Sequence, residues 1–101
     1  MKILFHENQL SYRGTSNAIY NYALFNQKYL NNESIIIYQK NNKNNYIPAI
    51  EKFKNKFEVI SYTKSNEIDN IVDKTKADLF YAIKAGKNDG VEAKSCKTAV
   101  H

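Results

Sequence analysis

The sequence predicts an α/β domain: a doubly wound, Rossmann-like parallel sheet of about five strands in the order 3-2-1-4-5. Three observations lead there. Short β-branched or apolar segments alternate with stretches of helical spacing along the whole chain. No Asn-Gly or comparable two-residue turn joins neighbouring strands, so right-handed crossovers replace hairpins. Residues 79–83 (LFYAI) show no polar alternation, as expected of a strand covered on both faces.

Each element has its own justification. Residues 2–6 (KILFH) make a first buried strand, and Asn8, Ser11 and Gly14 mark the turn after it. Thr15 or Ser16 caps a helix running to about Leu30. At about 100° per residue, Phe25, Ala18, Tyr29, Tyr22, Ile19, Leu30 and Ala23 share one stripe, with Asn26 inside it and Leu24 outside. That stripe is the expected buried face. Asn31 and Asn32 turn the chain into a second strand, residues 34–39 (SIIIYQ). Residues 40–45 (KNNKNN) are a polar surface loop. Asn45 and Pro48 open a short helix in which Ile47, Ile50 and Phe53 recur every third position. Residues 57–62 (FEVISY) read as a third strand. Ser65 then caps a third helix that buries Ile68, Ile71 and Val72. Residues 79–83 are the fourth strand, residues 85–95 hold Gly86 and Gly90, and residues 97–101 (KTAVH) are the fifth.

Composition narrows the function classes. A length of 101 residues suits a single domain. Fourteen lysines and Arg13, the one arginine, against ten Asp plus Glu give a net charge of +5, and the lysines are spread along the chain with no block longer than the alternation of Lys52, Lys54 and Lys56. A nucleic-acid footprint clusters on one face and favours arginine, so no nucleic-acid partner is expected. Cys96 is the single cysteine, which excludes an internal disulfide and suits a reducing compartment. The longest apolar run is far short of the roughly 20 residues of a membrane helix, and His6 and Glu7 interrupt any leader-like core. The expected location is the cytoplasm, with no transmembrane segment.

In a sheet of this order, ligands bind beyond the carboxyl ends of the strands near the switch between the first and fourth. Four groups of residues fall there. Arg13-Gly14-Thr15-Ser16 offers a helix start, two hydroxyls and a guanidinium to an anionic group such as phosphate. A plain N-cap with a solvated arginine accounts for the same residues. His6 and Glu7, ending the first strand, could share acid–base work or merely satisfy backbone groups. Lys84 opens a glycine-bearing segment, residues 84–90 (KAGKNDG), that faces the crevice or serves as an ordinary connection. His101 ends the fifth strand and could hydrogen-bond a sugar hydroxyl. Tyr62 and Thr63 stand where a phosphoacceptor receiver domain needs its aspartate, which excludes that class. Two histidines and one cysteine at scattered positions match no metal-ligand spacing, so no metal or cofactor is expected.

Together, residues 1–23 (MKILFHENQLSYRGTSNAIYNYA), SIIIYQ, DLFYAIKAGKNDG and KTAVH resemble the N-terminal domain of a GT-B-fold glycosyltransferase of the group-1, or family 4, type. The resemblance implies an acceptor-side domain of a larger two-domain enzyme that transfers a sugar from a nucleotide-sugar donor to a sugar or lipid acceptor. It places Arg13, Gly14, Thr15 and Lys84 in substrate binding. It makes His101 the catalytic candidate, since the family's fifth strand commonly ends in a histidine lining the cleft. The chain departs from the family in two respects: Gly14 stands where many members have two glycines, and the acidic E-x7-E motif is absent. The expectation is therefore a truncated product, inactive alone and self-associating through an open sheet edge. The competing class is a stand-alone binding or regulatory α/β module for a small anionic ligand.

Overall fold

The computed structural model describes residues 1–12, 14–64, 66–82 and 97–100, with the backbone alone for residues 15 and 97–100. Among them, eight elements alternate along the chain: β1 (Lys2–Glu7), α1 (Gly14–Lys28), β2 (Glu33–Gln39), α2 (Ile47–Lys54), β3 (Glu58–Tyr62), α3 (Glu67–Thr75), β4 (Leu79–Ala82) and β5 (Lys97–Val100). Every neighbouring pair is parallel and the order is β3-β2-β1-β4-β5. The predicted α/β architecture is the observed one. Ser65, the expected cap of α3, and Ile83 and residues 85–95, from the expected end of the fourth strand through the glycine-bearing connection, lie outside the described residues.

Side chains of adjacent strand residues point to opposite faces, and this period of two divides the core into two layers. Leu4, Ile35, Ile37, Tyr62 and Phe80 pack on one side against Ile68 and Val72 of α3. Phe5, Ile36 and Tyr38 pack on the other against Ile19 and Ala23 of α1 and Phe53 of α2. β2 is buried on both faces from Ser34 to Tyr38, which is why SIIIYQ carries no alternation. β4 is covered less evenly than expected. Phe80 and Ala82 are buried under α3, whereas Leu79 and Tyr81 are half-buried. The crossovers through α1 and α2 run from β1 toward β3, so on that face of β4 Tyr81 is covered in part, by Phe5 and by Tyr22 of α1.

The two flanking helices depart from their predicted faces. In α1, Ile19 and Ala23 are buried as expected, but the polar Ser16 and Asn26 complete the inner face. Tyr22, Phe25, Tyr29 and Leu30 are exposed. The reason lies in hydrogen bonding. Asn26 Nδ2 donates to Ser34 Oγ at 2.8 Å, its Oδ1 accepts from Asn32 Nδ2 at 2.9 Å, and Ser34 Oγ donates to the Ala23 carbonyl at 2.9 Å. A satisfied amide can occupy a buried position, and here it sets the helix rotation. Of the exposed residues, Tyr22 meets Tyr81 edge-on and Phe25 packs along Tyr29. In α2, Ala49 and Phe53 are buried, while Ile47, the first residue of the helix, is exposed.

Asn26→Ala should therefore destabilise the fold by about 1–3 kcal/mol, since it strips a buried network of its donor and acceptor. Phe25→Ala, despite losing a far larger apolar side chain, should stay within about 0.5 kcal/mol of the parent. Urea unfolding of the two variants measures both, and the reverse ranking would mean that α1 is rotated from this position.

Candidate functional site

β1 lies at the centre of the sheet, hydrogen-bonded to β2 and β4, and it ends on His6 and Glu7. Both side chains are buried, at 2% and 1% exposure, far below what is usual for an ionisable pair at a strand end. They do not work together. His6 shares the face of Leu4, where its Nε2 is hydrogen-bonded to the Tyr62 hydroxyl at 2.6 Å and its ring packs near Phe80. Glu7 shares the face of Phe5 and reaches α1. Its Oε1 accepts from the Asn8 N–H at 3.0 Å, and its Oε2 lies 3.3 Å from Ser16 Oγ. Consecutive residues of an extended strand cannot meet in one cleft, so the acid–base pairing of His6 with Glu7 is excluded by the pleat. Each is a packed and hydrogen-bonded part of its own layer.

The same contacts change the reading of the α1 start. Ser16 is fully buried; Oγ lies 3.0 Å from the Gln9 carbonyl, shares its proton between that oxygen and Glu7, and accepts from the Ser11 N–H. Its hydroxyl is engaged below the helix, not offered to a ligand. The Glu7 carboxylate, moreover, already occupies the place beneath the first turn where the helix dipole favours an anion. Gly14, the first residue of α1, faces outward: a Cβ added to it would meet nothing within 4 Å. The backbone of Thr15 continues that turn. Arg13, Lys84 and His101 lie outside the described residues, so Gly14 and Thr15 are the sequence-predicted positions seen at the carboxyl edge.

Neighbouring groups at this edge were not legible from single positions. At α3, Glu67 turns back to accept from the Thr63 N–H at 2.8 Å, the Thr63 hydroxyl at 3.0 Å and the Lys64 N–H at 3.4 Å. Its carboxylate therefore fills the amide donors ahead of that helix; a glutamate shortly after Thr63 and before an apolar run is the sequence signal. Asn45 braces the loops after β1 and β2. Its Oδ1 accepts from the Leu10 N–H at 2.9 Å, and its Nδ2 donates to the Gln39 carbonyl at 2.8 Å. The brace brings Tyr12 and Tyr46 into edge-to-face contact, with ring centroids 5.4 Å apart. Nothing in the local sequence connects those two residues.

A concavity of about 640 Å³ lies at the opposite, amino edge, lined by Lys2, Glu33, Glu58, Ile60, Lys74 and Lys76 among others. Lys2, between two of the lining elements, is tied into the fold. Lys2 Nζ donates to the Thr75 carbonyl at 2.7 Å and faces Glu33 at 3.6 Å. The lining mixes both signs of charge, Glu33 and Glu58 with Lys2, Lys74 and Lys76, and offers no single sign to a charged ligand. No cluster of three His, Cys, Asp or Glu side chains occurs among the described residues, and none of their helices is long and apolar enough to cross a membrane.

Fold and edge together define the class: a doubly wound, Rossmann-like α/β domain with a partly aromatic, amide-braced carboxyl edge. No protein-family model matches the chain, and no curated protein matches it either.

Glu67 carries a pH prediction. The Thr63 N–H, then the Thr63 hydroxyl, and less strongly the Lys64 N–H and charge, hold its carboxyl below the usual 4.5. A lowered carboxyl contributes stability that is present above the unfolded value and lost as pH falls through the folded one. Melting temperatures of the parent and Glu67→Gln should therefore differ most above pH 4.5 and converge as the pH drops below it. A gap that stays constant down to acid pH would show that the carboxylate is not bonded in this way.

Proposed function

We propose that this chain is the acceptor-side, Rossmann-like domain of a two-domain glycosyltransferase, in which the nucleotide of the donor is held chiefly by another domain. The observation that carries the reading is the division of labour at the carboxyl edge. Gly14 leaves open space at the start of α1, while Glu7 beneath that turn opposes a diphosphate. An uncharged sugar or hydroxyl acceptor can approach where a phosphate is repelled. The sheet order supports the same reading, because it brings the ends of β1 and β4 to the switch point where ligands of such sheets collect. Within this proposal Arg13, Thr15, Lys84 and His101 keep the roles that the family resemblance implies, with His101 as the catalytic candidate. A stand-alone module for a small anionic ligand accords less well with Glu7 at the helix start.

The test has two parts. The 101-residue chain incubated with labelled UDP- or GDP-sugars and a panel of acceptors should give no transfer. Amide resonances of residues 8–17 should nevertheless shift with sugar nucleotides at millimolar concentration and respond less to UDP or GDP alone. Gly14→Val should abolish that response without unfolding the chain, since the added carbons project into open space. Turnover by the chain alone, a full response to UDP alone, or shifts confined to the amino edge around Lys2 and Lys74 would overturn the proposal.

A further inference from the structure

Tyr12 and Tyr46 are large aromatic side chains left 53% and 50% exposed, although each could in principle be covered by its own loop. They are held there by a built framework. The Tyr46 N–H donates to the Leu10 carbonyl at 2.8 Å, and Leu10 itself is fully buried. Asn45 ties Leu10 to the end of β2, and Asn17 Nδ2 donates to the Tyr12 carbonyl at 3.2 Å. Two loops of different origin are thus locked together with an aromatic pair on their outer surface. Neither tyrosine hydroxyl has a hydrogen-bond partner among the described residues. The pair stands beside the open first turn of α1, at the same edge of the sheet.

We propose that Tyr12 and Tyr46 form a stacking platform for an uncharged sugar ring, a subsite for the acceptor saccharide. This rests on the sugar-transfer reading above and names the chemistry that its acceptor presents. The face of an aromatic ring is electron-rich, and the polarised C–H groups on one face of a sugar are its natural complement. The tyrosine hydroxyls add donors and acceptors for sugar hydroxyls. Charge points the same way, because Glu7 disfavours an anionic ligand at the adjacent helix start. Ring geometry disfavours a flat base clamped between the two tyrosines, since their planes stand at 71° and not parallel.

The test is saturation-transfer NMR on the full 101-residue chain with methyl glycosides of glucose, galactose, mannose and N-acetylglucosamine, irradiating the aromatic protons. At least one glycoside should receive saturation. Tyr12→Ala and Tyr46→Ala should each weaken its binding by about two- to tenfold, the range carried by one aromatic contact. Tyr29→Ala, which removes an exposed tyrosine from the other end of α1, should leave it unchanged. If an alanine variant unfolds, ring-proton shifts of Tyr12 and Tyr46 in the unaltered chain during the titration give the same reading. No saturation of any glycoside, binding indifferent to both tyrosines, or displacement by uridine or adenosine at lower concentration would overturn the platform. Glycoside binding at the pair without a sugar-nucleotide response at residues 8–17 supports the platform and overturns the transfer reading. The reverse pattern overturns the platform alone.

Discussion

β1 is hydrogen-bonded along both edges and buried from Leu4 to Glu7 on both faces, so every other element is placed relative to it. Its period of two sends Leu4 and His6 to the α3 layer and Phe5 and Glu7 to the α1 layer. A slip of one residue would exchange these pairs. The Glu7 carboxyl would then leave Ser16 and face the layer of Ile68 and Val72, and His6 would leave Tyr62. The two buried polar side chains at the end of β1 thus specify register, because each is satisfied on one face only.

The functional surface follows from the same constraint. Because Glu7 points under α1, the start of that helix combines open space with a negative charge already in place. The α3 start is likewise filled by the chain's own carboxylate, Glu67. Among the described residues, the starts of α1 and α3 thus each have a carboxyl group of the chain itself beside them. What the edge presents outward is aromatic and amide: Tyr12, Tyr46 and the loops tied by Asn45.

The strands were legible because each is short, rich in β-branched or aromatic residues, and bounded by Asn, Gly or charged turns. Topology followed from the absence of hairpin turns and the preference for right-handed crossovers. The face of α1 was not legible. Apolar residues occur around most of its circumference, and the polar Ser16, outside the apolar stripe, and Asn26, inside it, are buried by partners in β1 and β2 while Tyr22, Phe25 and Tyr29 of the stripe are exposed. The site was legible by location and not by chemistry. Sequence placed Gly14 and Thr15 at the carboxyl edge, yet it also offered Ser16 to a ligand and joined His6 to Glu7. Both functional readings stood beside plainer ones, a helix cap and a satisfied polar pair, and both treat neighbours in sequence as neighbours in space. Tyr12 and Tyr46 show the converse, two distant residues whose contact depends on an asparagine brace.

The division of the β1 end between two layers is the claim on which the account stands, and double-mutant cycles measure it. Unfolding free energies of Tyr62→Phe, Ser16→Ala and the double variant should add to within about 0.5 kcal/mol, because the two hydroxyls serve opposite faces of the sheet. Tyr62→Phe combined with His6→Phe should instead be non-additive by about 0.5–3 kcal/mol, as befits residues in direct hydrogen-bonded contact. A coupling between Tyr62 and Ser16 as large as that between Tyr62 and His6 would place them in one network and contradict the separation.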